Sequence, residues 1–92
     1  MIVRILGEGQ LQVDDSASAE LNSLDAALEK AVNSGDEAAF RSALMTLLGR
    51  VRALGTPLAA ETLEPSDSIL PRADADIEEV RSMMTDEGYI PG

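Results

Sequence analysis

Two stripes of aliphatic residues, one on each side of the short link Asn33-Ser34-Gly35-Asp36, constrain this chain more than any other feature. Before the link, Ala17, Leu21, Leu24, Leu28, Ala31 and Val32 recur at helical spacing; after it, Phe40, Leu44, Leu47, Val51 and Leu54 do the same. A period near 3.6 gathers each set on one face of a helix. The spacing predicts helices over 16–33 and 37–54. Asp14, Asp15 or Ser16 can cap the first, Gly35 stops it, Asp36 caps the second and Gly55 ends it. A link this short folds the two helices back as an antiparallel αα-hairpin. Glu37 and Arg41 stand at i,i+4, the spacing of a helical ion pair.

The flanking segments read differently. Ile2 to Val13 alternates like a β-hairpin around a Gly7-Glu8-Gly9 loop with Gly9 left-handed. That register sets Val3 against Val13 and Ile5 against Leu11 on a core face, leaving Ile2, Leu6 and Gln10, with Arg4 opposite Gln12, on the other. A two-stranded ribbon is marginal alone, so a third strand is required from this chain or from a neighbour. Residues 56–73 carry Pro57, Pro65 and Pro71, which argues against a continuous helix. A short strand at Leu63 or at Ser68-Ile69-Leu70 can supply the missing partner; an ordered loop draped on the core is the alternative. Asp74 or Asp76 then starts a short helix to about Thr85, with Ile77, Val80 and Met84 on one face, Met83 beside it, and an acidic capping box available through Glu79. Gly88 ends that helix and Tyr89 to Gly92 trails in extended form. The expectation is an α+β fold in one domain over 1–92. Its parts are a β-hairpin (1–13), a helical hairpin (16–54), a loop or short strand (56–73) and a C-terminal helix with its tail (74–92).

Composition excludes several function classes. Aromatic residues make up 2% of the chain, Phe40 and Tyr89, so the core must be aliphatic. There is no Cys and no His, which removes thiol nucleophiles, disulfides, thiolate zinc sites and imidazole catalysis. No dinucleotide loop, P-loop or nucleophile elbow occurs, and no pair of carboxylates stands out for acid–base work. No enzyme activity and no cofactor are expected. Asp74-x-Asp76-x-Glu78 lacks the further ligands of a calcium loop, and these acids are read as neutralising the start of the last helix. The net charge is −10, which opposes binding to nucleic acid and to anionic lipid. Arg41, Arg50 and Arg52 are accordingly read as partners of neighbouring acids. No stretch reaches the roughly 20 apolar residues of a membrane span, and the opening apolar run is too short for a signal peptide. A cytoplasmic protein is expected.

The charge is uneven. Residues 1–52 hold eight acids against five bases, and residues 53–92 hold nine against two. A surface of that kind attracts a basic protein partner. The expected contact residues are Asp74, Asp76, Glu78, Glu79, Met83 and Tyr89. Adjacent Met83 and Met84 cannot both point from one helix into the same core, which puts one near the surface, where flexible thioethers suit adaptable contacts. Self-association through Ile2 and Leu6 on the outer hairpin face, by edge pairing, would give a homodimer instead.

Five stretches together, MIVRILGEGQ, LNSLDAALEKAVNSGDEAAFRSAL, VRALGTPL, LEPSDSILP and ADADIEEVRSMMTDEGYIPG, resemble the PspA-associated protein family, PspAA. The likeness runs over essentially the whole chain. It implies a small bacterial cytoplasmic protein of the phage-shock envelope-stress system, recruited to the inner face of the membrane through a partner. That partner would be PspA, a coiled-coil protein that binds and remodels membranes. The resemblance brings no catalytic or ligand-binding positions with it.

Overall fold

The computed structural model describes residues 1–59 and 64–84. It is an α+β fold of two layers. The strands are β1 (Ile2–Ile5), β2 (Gly9–Gln12), β3 (Thr56–Pro57) and β4 (Ser68–Leu70), and the helices are α1 (Ser18–Ser34), α2 (Glu37–Leu54) and α3 (Ile77–Met83). The sheet order is β3-β2-β1-β4, with β1–β2 and β2–β3 antiparallel and β1–β4 parallel.

The helical hairpin forms as its periodicity predicts. Asp36 caps α2 by accepting from the Ala39 amide at 3.0 Å, and Gly35 ends α1 in the left-handed conformation at φ 74°. At the start of α1, Asp14 accepts from the Ser16 amide at 2.8 Å and caps a 3-10 turn over Asp15–Ala17. Leu21, Leu28, Phe40, Leu44, Leu47 and Val51 are fully buried in one core with Val3, Ile5 and Leu70 of the sheet and Val13 just past β2. Asp25 is buried on the core side of α1 as well, a polar member that the Leu stripe does not announce.

The β-hairpin has the expected faces but another register. Val3 pairs with Leu11, Arg4 with Gln10 and Ile5 with Gly9, two residues away from the Val3–Val13 and Ile5–Leu11 pairing. The loop is Leu6-Gly7-Glu8, closed by the Glu8 amide donating to the Ile5 carbonyl at 2.9 Å, and both Gly7 (φ 86°) and Gly9 (φ 118°) take positive φ. Using two left-handed glycines moves the reversal one residue earlier. A shift of two preserves alternation, so Val3, Ile5, Leu11 and Val13 still face the core.

Ser68–Leu70 supplies the third strand from within the chain, parallel to β1. Leu63, the other candidate, lies outside the described residues. Glu64 and Ser66, ahead of β4, lie on the sheet face opposite the helices. There Gln10 donates from one amide nitrogen to the Glu64 carbonyl and to Ser66 Oγ, each at 2.8 Å.

α3 begins at Ile77, capped by Asp76, whose carboxylate accepts from the Glu79 amide at 2.8 Å. Ile77 and Val80 are buried. Two arginines tie the α3 region down: Arg41 of α2 donates to the carbonyls of Ala73 and Ala75, and Arg81 of α3 donates to the Val32 carbonyl in the last turn of α1. The expected Glu37–Arg41 pair is therefore not made. A guanidinium has five donors in a fixed fork, and two buried-side carbonyls left over by the loop before α3 take it. Met83 and Met84 also depart from expectation, because both are half-buried and pack on the core. The helix ends at Met83 and Met84 is extended (φ −73°, ψ 134°), so the break in helical geometry lets neighbouring side chains turn the same way.

Candidate functional site

Three surfaces compete for a functional role. The first is the acidic approach to α3. Asp74, Asp76, Glu78 and Glu79, neighbours in sequence, are all exposed. Two of them are engaged within the chain: Asp76 caps α3, and Glu78 pairs with Arg81 at 2.9 Å. The carboxylates of Asp74 and Glu79 are exposed and make no ion pair among the described residues. Met83 leans on the core, and Tyr89 lies outside the described residues. Among the described residues no cluster of three carboxylates is placed to hold a metal ion.

The second surface is the sheet face away from the helices. Ile2 and Leu6 are half-buried there and Ile69 is 47% exposed. β1 offers no edge for strand addition at these positions. The Ile2 amide donates to Asp67 Oδ2 and its carbonyl accepts from the Asp67 amide, both at 2.8 Å, while the Leu6 amide donates to the Leu70 carbonyl at 3.0 Å. Any self-association through Ile2 and Leu6 has to be face to face.

The third surface was not legible as a site. On the solvent side of the α1–α2 seam lies an open groove of about 440 Å³. Leu24, Ala27 and Ala31 line it from α1, and Ala39, Ala43 and Thr46 from α2, with Lys30 at its rim. Leu24 and Ala43 are half-buried and Ala31 is buried, forming a floor, whereas Ala27, Ala39 and Thr46 stand exposed as walls. Among the exposed residues from Ser23 to Ser34 and from Ala38 to Gly49, Lys30 is the single charged one. In a chain with seventeen acids that segregation is the signal a sequence reading could have used. Small residues at i, i+3 and i+4 beside a Leu stripe otherwise pass as filler.

Ion pairs mark the borders of this helical face. Arg50 of α2 forks onto Glu20 of α1 at the far end of the seam, with Nη2 to Oε1 at 3.2 Å. Arg52 donates from Nε to Glu8 Oε1 at 2.8 Å, tying the end of α2 to the β1–β2 loop. Hydrogen bonding to these guanidiniums holds both the Glu8 and the Glu20 carboxyl below the usual carboxylate range, and raises Arg50 and Arg52 correspondingly. Arg50 and Arg52 thus meet acids as expected. Arg41 does not: it meets main-chain carbonyls.

The family model described as PspA-associated protein, PspAA, matches residues 1–92. The chain belongs to that family. No curated protein and no solved structure matches it. As a PspAA member it is α+β, with its helices on one side of a four-stranded mixed sheet. None of its described helices is long and apolar enough to cross a membrane.

Proposed function

We propose that this PspAA protein is a non-catalytic interaction module, an accessory partner of a PspA-type coiled coil in the phage-shock response. The observation that carries the reading is the segregation of its surface. A net charge of −10 is concentrated toward the C-terminal half, while the outer helical face is almost uncharged. Acids drawn together ahead of α3 provide long-range attraction toward a basic protein surface and repel anionic lipid. The partner, not this chain, then supplies the membrane contact. The acidic side comprises Asp74, Asp76, Glu78 and Glu79, with Met83 and Tyr89 adjoining it in sequence, and Asp74 and Glu79 remain the most available for it.

Mixing this protein with the PspA-type protein of the same genome and following co-elution at low and high salt tests the reading. Co-elution that weakens as salt rises is the expected result, because exposed charges are screened within about 10 Å at 0.1 M salt. Separate elution at both salts would overturn it. A homodimer on Ile2 and Leu6 is the rival assignment; sedimentation that stays monomeric at high concentration removes it.

A further inference from the structure

We infer that the groove between α1 and α2 is the seat of one amphipathic helix contributed by a protein partner, and this inference rests on the function proposed above. Two antiparallel helices present the seam, and its lining repeats at 24, 27 and 31 on one side and 39, 43 and 46 on the other. That is the spacing at which the ridge of a third helix meets two others. Alanines at four of those six positions, two in the floor and two in the walls, keep the lining shallow, so a helix backbone can approach closely. Leu24 gives the floor an apolar anchor.

Charge selects the occupant. The groove face holds one exposed cation, Lys30, and Lys30 makes no ion pair among the described residues. At the turn end of the seam stands exposed Glu37. The complementary ligand is a helix with an apolar stripe, a carboxylate set against Lys30 and a cation toward Glu37. Depletion of charge at the centre with charges at the border is how protein-binding patches are built, and helix-in-groove docking reads such a stripe at i, i+3, i+4 and i+7. A second copy of this chain fits poorly, since each copy brings a net charge of −10 and like charges repel.

Titration calorimetry of the PspA-type protein with wild type, A27E/A39E and K30E tests the assignment. Ala27, Lys30 and Ala39 are exposed helix positions, so circular dichroism of all three proteins should coincide, and K30E serves if the double variant misfolds. The expected result is at least a tenfold rise in Kd for A27E/A39E, and a smaller rise for K30E that diminishes in high salt. Wild-type binding that neither variant weakens overturns the groove while leaving the proposed function standing. Absence of wild-type binding overturns both. Self-association of the wild type that A27E/A39E abolishes makes the occupant a second copy and overturns the partner helix.

Discussion

Arg41 on α2 donates from Nη2 to the backbone carbonyl of Ala75 at 2.8 Å, across 34 residues of sequence. Its Nη1 takes the Ala73 carbonyl at 2.7 Å, and its charge lies 5.1 Å from the centroid of the Phe40 ring. One side chain therefore fixes the entry to α3 against the helical hairpin. Hydrogen bonds to a charged donor contribute about 1.5–3 kcal/mol, so Arg41→Met should lower unfolding stability by about 2 kcal/mol. Amide exchange should rise most over Ile77–Met83, more than in α1 or α2. Uniform acceleration across all three helices would refute a local clamp.

Gln10 performs a similar task on the opposite face. Its single amide nitrogen serves both the Glu64 carbonyl and Ser66 Oγ, and the side chain is buried. Gln10→Met keeps the volume and removes both bonds. The expected loss is about 1–2 kcal/mol. The Asp67 amide, which donates to the Ile2 carbonyl, should exchange faster while amides of α1 keep their protection. Unchanged exchange at Asp67 would show that β4 is held without this tether.

Two glycines on or beside α2 should respond to alanine with opposite sign. A Cβ at Gly55 would lie 2.8 Å from the Val51 carbonyl oxygen and 2.9 Å from Leu11 Cβ. Gly55→Ala should destabilise by about 1–3 kcal/mol, the range for forced overpacking. A Cβ at Gly49 meets nothing within 4 Å, and in a helix interior Gly→Ala stabilises by about 0.5–1 kcal/mol. Denaturant midpoints that move the same way for both would contradict this packing.

The Glu8–Arg52 pair gives a pH test. The hydrogen bond from Arg52 lowers the Glu8 pKa in the folded state. A carboxylate depressed by folding stabilises the native state above its unfolded-state pKa, and that contribution disappears as pH falls through the lower folded value. Glu8→Gln should therefore be less stable than wild type at pH 7 by about 0.5 kcal/mol, as for an exposed pair. The two should converge below about pH 4, near the ordinary range for Glu. A difference that persists at pH 3 would have to come from packing at the loop, not from charge.

The two helices of the hairpin were legible because their information is local. Leu stripes, Asp36 and Gly35 act within one or two turns, and the α2 boundaries, Glu37 to Leu54, coincide with the prediction. Strand faces were legible for the same reason, since alternation along Val3, Ile5, Leu11 and Val13 needs only the chain itself. The acids ahead of α3 and the cap at Asp76 also belong to this class. So does membership of the family, which is carried by residues spread along the whole chain.

What the sequence left open required partners distant along the chain. Register at the hairpin depended on how two glycines share positive φ. Arg41 turned from Glu37 to carbonyls more than thirty residues away because an exposed ion pair is weak, whereas unpaired carbonyls beside the core are costly. β4 was one option among several until β1 accepted it. The groove is likewise a product of assembly: Ala27 and Ala39 are unremarkable on separate helices, and only the packing of α1 against α2 makes them walls of one concave surface. Local periodicity determines elements, whereas surfaces between elements exist only once those elements have met.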